Sequence, residues 1–248
     1  MKSLHTCCTS DHVDGSRRNA LKIALGVTAA AAMFGGTSSV AYAQVLTQAQ
    51  RDAMTPEQVL AQLKAGNQRF LTGQAQEHDY LAQKRASASG QFPAAVILSC
   101  IDSRAPAEIL LDTGIGEAFN ARIAGNIANS DLIGSLEFAC AAAGAKVVLV
   151  MGHTACGAVR GAIDGVKLGS LTGLLEKIKP AIAATTYSGD RTGKNDAFVD
   201  AVASSNVLHT ISELRKGSEV LANLEKSGAI KIVGSMYDLK TGVVSFIN

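Results

Sequence analysis

The apolar residues of this chain fall into two alternating kinds of block. Ala94-Ala-Val-Ile-Leu-Ser99 and Lys146-Val-Val-Leu-Val-Met151 are short, almost unbroken apolar runs. They lack the every-other-residue polarity of a half-exposed strand, so they predict strands buried on both faces. A further strand is expected over 118–123. Two more, over 230–237 and 243–247, are joined through the turn signal Lys240-Thr241-Gly242. Between them, helical patterns occupy 131–143, 156–163, 171–182, 197–214 and 218–226. Upstream, Thr55-Pro56-Glu57-Gln58 combines an N-cap, a proline at the first helical position and a glutamine able to close a capping box. It predicts a helix with Val59, Leu60, Leu63 and Phe70 on one face, weakened locally by Gly66, and then a polar connection over 73–90. Strands alternating with helices predict an α/β fold: a mostly parallel central sheet of four strands plus an antiparallel edge strand, flanked by helices.

The first 43 residues follow a different pattern. Arg17-Arg18 precede a weakly apolar run over 23–34, a Gly-Gly-Thr-Ser-Ser break follows, and Ala41-Tyr42-Ala43 fits a small-x-small cleavage site. The apolar run is far short of the ~20 residues that span a bilayer. The expectation is an export signal over 1–43, cleaved after Ala43, with no stable membrane anchor afterwards and one domain over 44–248. Ser16-Arg17-Arg18-Asn19-Ala20-Leu21-Lys22 resembles the twin-arginine export motif, with Ala20 where that motif usually carries Phe. This predicts a periplasmic or secreted protein that crosses the membrane folded. An ordinary secretory signal holding two arginines is the alternative.

At 47% hydrophobic and 18% charged residues, the chain has material for a sizeable core and is not disordered as a whole. The signal would remove four basic and two acidic residues, leaving a formally neutral chain with no basic patch of nucleic-acid type. Cys7 and Cys8 would leave as well. The remaining Cys100, Cys140 and Cys156 are an odd set that argues against a disulfide framework.

Two strings concentrate the chemistry: Cys100-Ile-Asp-Ser-Arg104 and His153-Thr-Ala-Cys156. Both fall just past the carboxyl ends of predicted buried strands, where ligands bind in open α/β sheets. Two thiolates and an imidazole select zinc over hard cations, so Cys100, His153 and Cys156 are the expected Zn²⁺ ligands. His153 and Cys156 are one helical turn apart, and Cys156 would lie near a helix N-terminus that favours a thiolate. Asp102 could close the site as a fourth ligand, but Arg104 offers it a competing bidentate pair. With Asp102 held away, the fourth position opens and the site is catalytic, with Asp102 and Arg104 as its working residues. Two thiolates cancel the formal charge of zinc, so a bound water needs Asp102 nearby to orient the hydroxide it becomes.

Together with Gly157, these strings resemble the β-class carbonic anhydrases. Phe119-Asn-Ala-Arg-Ile-Ala-Gly-Asn126, Gly134-Ser-Leu-Glu-Phe138 and Tyr237-Asp-Leu-Lys-Thr-Gly242 resemble them too, so the likeness runs from Thr55 to the C-terminus. The resemblance implies zinc-dependent reversible hydration of carbon dioxide to bicarbonate and a proton by a zinc-bound hydroxide, and a homodimer or higher homo-oligomer. Arg122, Gly125, Asn126 and Gly157 are candidate pocket residues. Some members of the family hold an inhibitory bicarbonate with a Trp, an Arg and a Tyr. Here Arg122 stands at the arginine position, but Ile97 replaces the Trp and the chain has no Trp at all. The switch is therefore expected to be absent or altered.

Competing readings keep the same residues: a hydrolase of carbonyl sulfide or carbon disulfide, a zinc-thiolate redox protein, or a structural site with Asp102 permanently on zinc. Cys140, in a run of small residues, is expected to be a buried core thiol. His78 and His209 are expected in surface or core roles rather than as proton shuttles. Gly114-Ile-Gly116 lacks the third glycine of a phosphate loop. Glu137 is either a helix-face charge or a group supporting the site.

Overall fold

The computed structural model describes residues 45–247; the expected export signal over 1–43 lies outside them. Helices α1 (Gln48–Ala53), α2 (Pro56–Thr72) and α3 (Tyr80–Ser87) precede strand β1 (Ala95–Ser99). Helix α4 (Ala107–Leu110), β2 (Ala118–Arg122), α5 (Ser130–Glu137) and β3 (Val147–His153) follow. Next come α6 (Gly157–Ile163), α7 (Gly169–Glu176), α8 (Lys179–Ala184), α9 (Asp196–Gly217) and α10 (Glu219–Lys226), and the described chain closes with β4 (Lys231–Tyr237) and β5 (Val244–Ile247).

The five strands form one sheet in the order β2-β1-β3-β4-β5. The first four pair in parallel and β5 is antiparallel to β4, as the sequence pattern predicts. Every residue of β1 and β3 is buried, which explains why those runs show no alternation. The side chains still alternate across the sheet. Ile97, Leu149 and Met151 pack with Val59, Leu63 and Leu110 from α2 and α4, whereas Val96, Leu98, Val148 and Val150 pack with Leu136, Val207, Leu214 and Leu221 from α5, α9 and α10. A third cluster joins Cys100 and Cys156 to Val159, Leu175, Ile178, Phe198 and Val202, in the layer of helices α6 to α9. The two cysteines of the chemical motifs therefore belong to a core of their own.

Helix α2 begins as its sequence predicts, with both halves of the Thr55–Gln58 capping box formed. Gly66 does not break it. A Cβ there would come within 1.8 Å of the Leu111 carbonyl oxygen, so the glycine is what lets α2 lie against the end of α4. Its neighbour Asn67 donates to the carbonyls of Leu110 and Gly242 and accepts from the Val244 N–H, tying α2 to the terminal hairpin.

Three local expectations are corrected. The polar connection over 73–90 contains α3, capped by Asp79 accepting from the Ala82 N–H at 2.8 Å. The helix expected over 131–143 is α5 followed by a wider π-type turn over 138–142. The pattern over 171–182 is two helices, because Pro180 lacks the N–H a continuous helix needs and instead opens α8. Among the described residues, no helix is long and apolar enough to cross a membrane.

Candidate metal centre

Cys100 follows β1 directly, and His153 is the last residue of β3. Because β1 and β3 are parallel neighbours in register, these two ends bring residues fifty positions apart side by side. Cys156 is the N-cap of α6. The Sγ atoms of Cys100 and Cys156 and a ring nitrogen of His153 all lie within 4.8 Å of one another, and all three residues are buried. The His153–Cys156 link is not the helical turn that the spacing suggests. It is a tight bend in which Ala155 adopts φ +51°, a left-handed conformation that a side chain disfavours.

The imidazole is fixed from one side. Nδ1 lies 2.9 Å from the Thr154 carbonyl oxygen, so it carries the proton and donates it. In the neutral ring that leaves Nε2 as a lone-pair donor, and this atom is buried and without a hydrogen-bond partner among the described residues. An unpartnered buried nitrogen is costly, and this one faces two sulfurs. The set fits a soft or borderline metal ion: two thiols and one neutral imidazole of defined tautomer. Cys100 Sγ also accepts from the Gly125 N–H at 3.3 Å. The Cys156 thiol, followed by His153 and this N–H, pulls the Cys100 thiol far below its ordinary value, while the same contact and burial push Cys156 up. The pair thus gives up one proton readily and resists losing the second without a cation.

Asp102 lies at the edge of this cluster, with Oδ2 3.9 Å from His153 Nε2. Arg104 grips both carboxylate oxygens: Nε reaches Oδ1 at 2.9 Å, Nη2 reaches Oδ2 at 2.7 Å, and the Arg104 backbone N–H adds a third bond to Oδ1 at 2.9 Å. The guanidinium holds the Asp102 carboxyl well below the usual carboxylate range, outweighing the opposing effect of burial.

The four candidate pocket residues separate. Gly157 lines an apolar cavity of about 360 Å³ beside Cys100 and Asp102, together with Ile101, Ala124, Ala158, Val166 and Leu171. Arg122, Gly125 and Asn126 are not in its wall. Arg122 Nε donates to the Cys100 carbonyl at 2.8 Å and Nη2 to the Asp102 carbonyl at 2.6 Å, so its guanidinium staples the backbone of the 100–105 loop. Gly125, at φ +68°, is where a Cβ would meet Ile178 at 2.7 Å, and its backbone holds Cys100. Asn126 is buried, and its carbonyl accepts from the Thr210 hydroxyl. Ile97 is fully buried in the sheet core.

Sequence reasoning missed the half-buried Asp200 of α9, whose Oδ1 accepts from the Ala155 N–H at 2.7 Å. It lies more than forty residues from the motif it supports, and no spacing rule reaches that far. Glu137 accepts from the Ser218 hydroxyl at the start of α10, which gives it a structural partner. His209 lines a small polar hollow with Lys177 and Glu213.

A mostly parallel sheet with cysteine and histidine at adjacent carboxyl ends and a carboxylate clamped beside them is an α/β fold carrying a cluster that could hold a metal ion. The carbonic anhydrase family model matches residues 95–244, and the chain belongs to that family. It is 35% identical over 182 residues to carbonic anhydrase 2 of Mycobacterium tuberculosis, covering 73% of this chain and 87% of that protein. To the carbonic anhydrase of Mycolicibacterium smegmatis it is 33% identical over 184 residues, covering 73% and 88%. Its fold matches the β-carbonic anhydrase CafA of Aspergillus fumigatus with a TM-score of 0.61 at 27% identity, covering 76% of this chain and 90% of that one. A tetrameric β-carbonic anhydrase of Sordaria macrospora shares the fold at a TM-score of 0.57 and 24% identity, covering 65% and 83%.

Proposed function

We propose that this protein is a zinc-dependent carbonic anhydrase of the β class, converting carbon dioxide and water reversibly to bicarbonate and a proton. The observation that carries the reading is the orphaned His153 Nε2 facing two buried thiols, with a carboxylate held beside it in a bidentate arginine clamp. Cys100, His153 and Cys156 would hold the ion. Zinc, when bound, supplies the Lewis acidity that lets water lose a proton near neutrality.

The chain's own residues do the rest. Arg104 occupies both oxygens of Asp102, which keeps that carboxylate ionised and opposes its turning to the ligand cluster. An ionised Asp102 can only accept hydrogen bonds; it can therefore take one from the attacking water and direct a lone pair of that oxygen towards the apolar cavity. That cavity, walled by Ala124, Gly157, Ala158, Val166 and Leu171, suits a small uncharged substrate and gives the charged product little to bind. Arg122 fixes the carbonyls on either side of Ile101 and so sets where Asp102 stands. Arg122's commitment to the backbone and Ile97 in place of the Trp support a bicarbonate switch that is absent or altered. Adding bicarbonate should therefore give simple product inhibition.

Assembly into a homodimer or larger homo-oligomer, and export to the periplasm or outside the cell by the twin-arginine route, belong to the same proposal. The tetrameric fungal relative of the same fold supports the first, and Arg17-Arg18 with Ala41-Tyr42-Ala43 supports the second. The decisive experiment measures zinc content and stopped-flow carbon dioxide hydration on one preparation, with sulfide release from carbonyl sulfide and carbon disulfide as parallel assays. Zinc near one per chain with fast hydration is expected. Zinc without hydration would overturn the reading. Cell fractionation of the full chain against Arg17→Lys/Arg18→Lys tests the export route.

A further inference from the structure

We propose that Asp200, on helix α9, is a positioning residue for the metal centre, acting on His153 through a single peptide plane. The inference rests on the zinc reading above. The peptide joining Thr154 to Ala155 is held at both ends. Its carbonyl oxygen accepts the His153 Nδ1 proton at 2.9 Å, and its N–H donates to Asp200 Oδ1 at 2.7 Å. A peptide group is planar and polarised, so a carboxylate on its N–H both locks the tilt of its C=O and increases the negative charge on that oxygen. The imidazole that donates to this oxygen is thereby oriented and made a stronger donor at Nε2. Metal-ligating histidines usually give their second nitrogen to a carboxylate or a carbonyl. Here a carboxylate acts through the carbonyl.

Backbone strain points to the same residue. Ala155 stands at φ +51°, a conformation that an alanine leaves unless its surroundings hold it. Two other bonds tether this bend: the Thr154 N–H donates to the Tyr237 carbonyl, and the Thr154 hydroxyl accepts from the Leu239 N–H at 3.0 Å. Both act on Thr154. Asp200 is the side chain that grips Ala155 itself. Helix α9 is well anchored for the task, with Phe198, Val199 and Val202 fully buried around Asp200. Nearly two turns further on from Asp200, Asn206 donates to the Gly125 carbonyl at 2.7 Å, so the same helix also supports the residue whose N–H holds Cys100.

The test compares wild type, Asp200→Ala, Asp200→Asn, Ala155→Gly and the Ala155→Gly/Asp200→Ala double variant. Zinc affinity is measured by chelator competition, and the cobalt-substituted visible spectrum and apo-protein melting are recorded alongside. Asp200→Ala should lose about 10- to 100-fold in zinc affinity, the usual range for supporting partners of metal ligands, with an altered cobalt spectrum. Asp200→Asn keeps an acceptor oxygen and should recover most of the loss. Glycine accepts the left-handed conformation without strain, so Asp200→Ala should cost much less in the Ala155→Gly background. If Asp200→Ala does not fold, Asp200→Asn and the double variant carry the comparison. Wild-type zinc affinity and an unchanged cobalt spectrum in Asp200→Ala, or an equal loss in both Asp200→Ala backgrounds, would overturn the inference. Wild type that takes up no zinc would instead overturn the functional reading on which it rests.

Discussion

The two ends of the sheet carry the same residue types and use them for different ends. Beyond the carboxyl ends of β1 and β3, Asp102 meets Arg104 and lies near His153. Ahead of β2, at the opposite end, Asp112 meets Arg69 and His78. An aspartate, an arginine and a histidine therefore do not identify a reactive site. What differs is how fully they are satisfied. Asp112 is almost completely buried and accepts from Arg69, from the Gln76 N–H and from His78 Nε2, while His78 Nδ1 meets Gln83. The hydrogen bonds there tie α2, the α2–α3 connection and α3 to the segment after α4. At the other end, His153 Nε2 faces the two thiols with its lone pair unclaimed. The closed end stabilises the fold; the open end has valence left to bind something.

Substitutions at the two ends should separate these roles. Cys100→Ser, His153→Ala or Cys156→Ser should each release the metal and reduce hydration to background. A loss of at least about 10⁴-fold is expected, because the acidity a zinc ion confers on water spans several powers of ten. Metal analysis and stopped-flow rates check this. Exhaustive chelation of wild type should do the same and be reversed by added zinc, since ligand deprotonation and metal uptake are coupled.

Next in size is the arginine pair. Arg104→Ala should keep zinc but lose about 10- to 100-fold in activity, because Asp102 is then free to turn to the metal. Arg69→Ala, at the closed end, should leave kcat of the folded enzyme unchanged. Wild-type activity in Arg104→Ala would defeat the clamp argument. A selective activity loss in Arg69→Ala would show that the two ends are not separate.

Asp112→Ala should act on stability alone. It leaves Arg69, His78 and the Gln76 N–H without their shared acceptor, a cost of about 1–3 kcal/mol. At roughly 2–4 °C per kcal/mol for a chain of this size, the thermal midpoint should fall by several degrees with metal content intact.

The contrast also explains what the sequence could reveal. β1 and β3 were legible because strands buried on both faces must be continuously apolar, and the cluster of Cys100, His153 and Cys156 because thiols and an imidazole at adjacent strand ends have few other uses. α3 was hidden because half of its eight residues are polar and the one it buries is Gln83, so an apolar face had little to register, and α4 because four residues are too few to show a period. The roles of Arg122 and Asp200 were illegible for another reason. Both bind backbone atoms, and a carbonyl or an N–H has no residue type to mark it in a sequence. The spacing of His153 and Cys156 misled in detail, since a three-residue separation fits a helical turn and a tight bend equally well.

The smallest expected effect concerns the third cysteine, and it sharpens the same contrast between satisfied and unsatisfied groups. Cys140 lies in the core between the sheet and helices α5, α9 and α10, and burial alone pushes its thiol up to about 12. A raised pKa means that the neutral thiol persists as pH rises, until the folded value is approached. At pH 8 only about one Cys140 in ten thousand would be thiolate, the form that reacts with alkylating reagents. Native apo-protein treated with iodoacetamide at pH 8 should therefore be labelled at Cys100, whose thiol is pulled down, and not at Cys140, and zinc should protect Cys100 while leaving Cys140 as it was. Peptide mass spectrometry distinguishes the sites. Cys140→Ala should cost only about 1 kcal/mol, the scale of a small core deletion, and should not alter zinc content. Rapid native labelling of Cys140 would mean that this core opens readily, and its helices could then not serve as the rigid support that the metal centre needs.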